Sequence, residues 1–188
     1  TLFAWDDIPP TRYTAGSQNM GGSSNLGLVT IKTDSGLEGH AFLGSATNPA
    51  ETHAGALIRF LKPLLMGKDP LAREDLHAAM RARQRNMGLR TVGACDTALW
   101  DIAAKAAGMP LYKFLGAGRS SIGAYASSQV LDGRQAYAGE AAQFKADGWK
   151  AYKIHPPQDP AEDIKVCEAV RKSVGDDFTL MLDSKKAF

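Results

Sequence analysis

Lys153-Ile154-His155, followed one helix and one strand later by Asp183, puts three chemically capable side chains within a short stretch of chain. Side chains alternate along a strand, so Lys153 and His155 leave the same face of the strand predicted at 151–155, close to its end. Asp183 ends the next predicted strand, 178–183. An ammonium, an imidazole that titrates near neutral pH and a carboxylate are the parts required to move a proton beside a stabilised anion. Carboxylate oxygen is also the ligand type that hard divalent cations take. The same spacing fits a strand end whose polar groups face solvent or satisfy one another, and a lone Asp183 fits a strand cap or a turn before a helix. Spacing alone favours those simpler readings.

The elements that must position these residues alternate from about residue 120 onward. Strands are predicted at 122–127, 151–155 and 178–183, with helices at 134–147 and 160–174 between them. That rhythm indicates βαβ units with parallel strands. Upstream the order differs. Residues 14–25, rich in Gly and Ser, read as a mobile loop. Strands at 26–33 and 37–43 form a hairpin around Asp34-Ser35-Gly36, with Gly36 where a positive φ is expected. A helix starts near Asn48-Pro49-Ala50-Glu51, with Ala54, Leu57, Ile58, Leu61 and Leu65 at helical spacing. Further helices are predicted at 73–85 and 89–107, the latter with a buried stripe of Val92, Cys95, Leu99, Ile102 and Ala106. Gly108-Met109-Pro110 stops it. The expected organisation is an α+β domain over 1–116 followed by an α/β region over 117–188.

Composition narrows the function classes. The chain has 188 residues, 44% of them hydrophobic, and 22 basic against 20 acidic residues scattered along it. Nothing in that balance calls for nucleic acid or a membrane surface, so the partner expected is a small or polar ligand. No apolar run reaches the roughly 18 to 20 residues of a membrane span, and no signal-type start is present. Cys95 and Cys167 lack metal or redox spacing and read as reduced, packed thiols of a cytoplasmic protein. The Gly-rich 14–25 segment matches neither a phosphate-binding nor a dinucleotide-binding pattern, so a specificity loop is the better reading. The opening Thr1-Leu2-Phe3-Ala4-Trp5 and the stop five residues after Asp183 both read as cut ends.

Taken in order, the α+β domain, Val92-Gly-Ala-Cys-Asp-Thr-Ala-Leu-Trp-Asp-Ile-Ala-Ala-Lys105, Leu111-Tyr-Lys-Phe-Leu-Gly116, Tyr152-Lys-Ile-His155 and Met181-Leu-Asp-Ser184 resemble the mandelate racemase/muconate lactonizing enzyme branch of the enolase superfamily. The resemblance implies a capping domain at 1–116 and, at 117–188, the first three strands of an incomplete (β/α)7β TIM-like barrel. It puts residues 14–25 and Ser45-Ala46-Thr47-Asn48 over the site. Lys153 matches the first lysine of a Lys-x-Lys motif, and Asp183 matches the first of three acidic Mg²⁺ ligands. His155 stands where the second motif lysine is usual, and Lys185 where Asn is frequent.

The activity so implied is Mg²⁺-dependent removal of the α-proton of a hydroxy acid through an enolate, with acid-sugar dehydration first and racemisation, epimerisation or cycloisomerisation next. Lys153 is expected to stabilise charge, His155 to act as base and Asp183 to hold the metal. Ser127 and Gln129, at the mouth after the first barrel strand, and Asn48 are expected to bind substrate hydroxyls, with Ser128 beside them; loop hydrogen bonding explains the same residues equally well. Trp100 and Asp101 are expected to hold helices together, and Trp149 to be core. A homo-oligomer is expected, since three strands leave apolar faces and edges uncovered. The rival reading is a truncated, non-catalytic chain that depends on association.

Overall fold

The computed structural model describes residues 2–11, 20–45 and 48–184. They form two compact units: Gly22 to Ser120 together with residues 2–8, and Ser121 onward together with strand residues 9–11, 20 and 21. β1 (Leu2–Thr11), β2 (Met20–Lys32) and β3 (Glu38–Leu43) lie in that order in one sheet. β2 and β3 are antiparallel, with Lys32 opposite Glu38 and Gly27 opposite Leu43. Gly36 closes their turn at φ +84°, a conformation open to glycine at little cost.

α1 (Glu51–Ala56) runs through a π turn at Leu57–Leu61 into α2 (Lys62–Leu65), and α3 (Arg73–Arg81), α4 (Leu89–Ala106) and α5 (Leu111–Phe114) follow. α4 is the spine of this unit. One side packs Val92, Cys95 and Leu99 against Leu61, Leu76, Met80 and Met87; Ala94 and Ala98 meet Ala41 and Leu43 of β3. These small residues let strand and helix approach closely. A Cβ on Gly39 would lie 2.0 Å from the Ala98 carbonyl oxygen, so no larger residue fits at that crossing.

The second unit contains β4 (Ala126–Ser127), α6 (Arg134–Ala146), β5 (Ala151–Ile154), α7 (Pro160–Val174) and β6 (Thr179–Leu182). The strands are parallel in the order β4-β5-β6. The register aligns Ala126, Tyr152 and Leu180 on one face and Ser127, Lys153 and Met181 on the other. The first face is the core, where Ala126, Tyr152 and Ile154 pack on Tyr137 and Ala141 of α6 and on Val166, Val170 and Val174 of α7. α7 is delimited by local chemistry: the Asp159 carboxylate caps it by accepting from the Glu162 N–H, Pro160 occupies its first position, and Gly175 follows its end at φ +77°.

Several sequence expectations are corrected. β2 begins at Met20, inside the expected 14–25 loop, because a central strand gains ladder bonds on both sides, which outweighs the poor strand propensity of Gly and Ser. The rest of that loop, residues 14–19, lies outside the described residues, as do Ala46, Thr47, Lys185 and Lys186. The π turn inserts an extra residue into the helical repeat, so Leu61 is buried while Ile58 is turned out to solvent. β4 is only two residues long, Ala126 and Ser127 pairing with Tyr152 and Lys153 of β5, and Ile122 before it is exposed. Ala106, in the last turn of α4, is exposed, and Trp149 is over a third exposed, its ring edge-on to Phe144.

Candidate active site

Lys153, His155 and Asp183 come together. Lys153 points from β5 on the face away from the helices, His155 follows the end of β5, and Asp183 follows β6, its N–H donating to the Ile154 carbonyl at 2.9 Å. Lys153 Nζ donates to Asp183 Oδ2 at 3.4 Å, and His155 Nε2 lies 3.3 Å from the same oxygen. The three differ in exposure: the His155 side chain is 7% exposed, Lys153 21% and Asp183 34%. The imidazole is therefore held in the protein while the carboxylate faces outward. Lys153 Nζ also stands 5.3 Å from the centre of the Tyr125 ring, within cation–π range.

The backbone around His155 is fixed on both sides. Its N–H donates to Ser128 Oγ at 2.8 Å, and its carbonyl accepts from Tyr137 Oη at 2.7 Å. Its Nδ1 is 2.6 Å from the Ser128 carbonyl oxygen. Tyr152 Oη donates to Glu140. Burial, and then the Glu140 carboxylate, push the Tyr152 phenol well above its usual range. Beyond His155, buried Asp163 accepts from the N–H groups of Gln158 and Asp159 at 3.0 and 3.2 Å, which holds Gln158 at φ +70° and shapes the loop leading into α7.

The substrate-binding candidates divide. Ser127 is exposed on the Lys153 face, its Oγ 3.5 Å from His155 Nδ1, and Gln129 is half-buried just beyond. Ser128, by contrast, is buried and supports His155. Asn48 belongs to the first unit, where its Oδ1 accepts from Thr52 Oγ1 at 3.0 Å. Trp100 and Asp101 tie elements together: the Arg73 guanidinium stacks 3.4 Å from the Trp100 ring centre, and Asp101 Oδ2 accepts from the His40 N–H at 2.9 Å and from Lys105 Nζ at 2.7 Å. Tyr137 and Tyr125 carried no signal in the sequence, because neither belongs to a motif and their roles arise only when α6 and the β4 approach meet the end of β5.

Asp183 has the hard carboxylate oxygens that Mg²⁺ prefers, at a partly exposed strand end. Among the described residues no group of three or more His, Cys, Asp or Glu could hold a metal. The residues present therefore fit Mg²⁺ as one ligand of a set.

Residues 6–116 match the family described as mandelate racemase/muconate lactonizing enzyme, N-terminal domain, and residues 136–188 match the enolase C-terminal domain-like family. The chain belongs to the mandelate racemase/muconate lactonizing enzyme family. It is 33% identical over 171 residues to D-galactarolactone cycloisomerase of Agrobacterium fabrum, covering 86% of this chain and 44% of that protein. A D-glucarate dehydratase from Agrobacterium tumefaciens, solved with magnesium, superposes with a TM-score of 0.80 at 27% identity, covering 97% of this chain and 52% of that one. A racemase from Streptomyces coelicolor A3(2), with bound magnesium, superposes with a TM-score of 0.82 at 26% identity, covering 100% and 55%. The chain thus spans about half the length of the relatives it matches. Those relatives are named for three different reactions, a cycloisomerase, a dehydratase and a racemase. Among the described residues, no helix is long and apolar enough to cross a membrane.

Proposed function

We propose that this chain supplies the capping domain, residues 1–116, and the opening of the barrel, residues 117–188, of a Mg²⁺-dependent enzyme that removes the α-proton of a hydroxy-carboxylate, with an acid sugar as substrate and dehydration as outcome. The observation that carries the reading is the meeting of Lys153 and His155 on one oxygen of Asp183, at the ends of adjacent parallel strands. A proton α to a carboxylate is very weakly acidic, and its removal builds a second negative charge that must be stabilised as it forms. His155 takes that proton or returns it, since imidazole is the side chain whose ordinary range spans neutral pH. The Lys153 ammonium stands beside the substrate carboxylate and offsets the growing charge. Asp183 would hold Mg²⁺, which when bound adds charge stabilisation at the carboxylate. Ser127 and Gln129 offer hydroxyl and amide groups at the same strand ends for orienting a polyol.

Loss of a β-hydroxyl from the enolate gives dehydration, whereas return of the proton from the other face gives racemisation or epimerisation. Cycloisomerisation is the second reading, favoured by the 33% identity with the A. fabrum cycloisomerase across most of the chain. The test is to incubate the protein with a panel of aldonates, aldarates and aldarolactones in D2O, with and without Mg²⁺, and to follow α-proton exchange and products by NMR. Mg²⁺-dependent exchange with a keto-deoxy acid product is expected. Exchange that proceeds equally fast after Mg²⁺ is removed would sink the proposal, and ring opening of a lactone without loss of hydroxyl would select the second reading.

A further inference from the structure

The surroundings of His155 contain more polar chemistry than a helix–sheet interface needs. Tyr137 and Tyr152 are both fully buried and Ser128 nearly so, within an otherwise apolar cluster of Ala, Val, Ile and Phe. Phenylalanine and alanine would fill such space without the cost of desolvating hydroxyl groups. The hydroxyls of Tyr137 and Ser128 end on the main chain of His155, one on its carbonyl and one on its N–H. A backbone N–H can only donate, so the Ser128 oxygen accepts from His155, while the Tyr152 proton goes to Glu140. Tyr137 Oη in turn accepts from the Leu131 N–H at 2.9 Å, which directs its proton to the His155 carbonyl. Along Leu131, Tyr137 and His155 each donor direction is fixed by its neighbour, and such chains strengthen one another in a dry interior.

We propose that Ser128 and Tyr137 are positioning residues that lock His155 in the tautomer with the proton on Nδ1, presenting Nε2 as the unprotonated, proton-accepting nitrogen on the Asp183 side. The main-chain clamp brings the Ser128 carbonyl oxygen to 2.6 Å from Nδ1. A carbonyl oxygen can only accept, so Nδ1 must donate; two acceptors at that separation would repel strongly. Nε2 faces Asp183 Oδ2 at the longer 3.3 Å, so the shorter contact decides the tautomer. A fixed second contact on one ring nitrogen is the general means by which an imidazole is committed to act through the other. The role in turnover rests on the proposed α-proton chemistry; the tautomer itself does not.

The experiment is ¹⁵N NMR of the imidazole nitrogens in the intact protein at a pH where the ring is neutral, with the His155 signals assigned by their loss in His155→Gln. Expected is a pyrrole-type Nδ1 and a pyridine-type Nε2, with Tyr137→Phe and Ser128→Ala moving population toward the Nε2–H form. In turnover both variants are expected to lower kcat about ten- to a hundredfold with KM little changed, because a displaced base binds substrate normally and reacts poorly. A wild-type spectrum dominated by Nε2–H overturns the inference whatever the substrate, and it remains decisive if either variant fails to fold. Folded variants with unchanged tautomer and kcat overturn it as well. If the acid-sugar panel fails while the Nδ1–H spectrum stands, the functional reading falls and the inference survives.

Discussion

Among the described residues, the same three residue types are grouped around one carboxylate twice. In the first unit Asp101 gathers His40 and Lys105; in the second Asp183 gathers His155 and Lys153. The contacts differ in kind. Asp101 takes the backbone N–H of His40 and the Lys105 ammonium at 2.9 and 2.7 Å, and Lys105 also donates to the Glu38 carbonyl. The His40 ring turns elsewhere, toward Thr30 Oγ1 at 3.2 Å. Helix α4 thereby covers the outer edge of β3, where unpaired backbone groups would otherwise lie open. Around Asp183 both side chains converge on one oxygen at 3.3 and 3.4 Å, longer than a relaxed charged hydrogen bond. Asp101 braces the fold, while Asp183 meets Lys153 and His155 at longer distances at a strand end, so what separates the two groups is the length and destination of these contacts, not the residue types in them.

The largest effect should separate the two histidines. His155→Ala is expected to lower kcat/KM for the acid-sugar substrate by about 10²- to 10⁴-fold, the range for losing a positioned general base. His40→Ala is expected to leave it unchanged, since the contact to Asp101 runs through the backbone. Steady-state kinetics on both variants checks this. Comparable losses in the two would erase the distinction drawn between the groups.

Stability should rank the carboxylates the other way. Asp101→Ala removes two short hydrogen bonds, one of them from a strand-edge N–H, and is expected to cost about 1–3 kcal/mol. Asp183→Ala removes long, partly solvated contacts and is expected to cost about 0–1 kcal/mol. Urea unfolding of each variant against the parent measures both. A larger loss at Asp183 would mean that its cluster braces the fold instead.

What could be read from sequence follows the reach of the forces involved. α7 was legible from Pro160 to Val174 because its limits are set locally, by the Asp159 cap, Pro160 and Gly175. The meeting of Lys153, His155 and Asp183 was legible because strand alternation and a parallel register fix which side chains share a face. The π turn that exposes Ile58 was not, since it arises where the helix adjusts to its packing. Nor was the support of His155 by Tyr137, 18 residues away on a helix, where nothing in the local sequence distinguishes a tyrosine whose hydroxyl finds a carbonyl from one that merely packs. Trp149 reads as core by residue type, yet the chain exposes it.

The smallest effect concerns pH. Burial pushes the Asp101 carboxyl up, but the Lys105 hydrogen bond, the His40 N–H and the nearby positive charge outweigh it and hold the group below its ordinary value. A carboxyl lowered in the folded state binds fewer protons there than in the unfolded chain. Its stabilisation is therefore complete above the unfolded value, about 3.9, and is lost as pH falls through the lower folded value. Lys105→Met should remove part of that lowering. The variant is expected to be less stable at neutral pH by about 0.3–0.5 kcal/mol, the worth of an exposed i,i+4 pair, and the gap should close as pH drops below about 4. Urea midpoints measured at successive pH values from 7 to 3 would show the two curves converging. Curves that stay parallel would show that the Lys105 hydrogen bond to the Glu38 carbonyl, which does not depend on the Asp101 carboxyl, matters more than the ion pair.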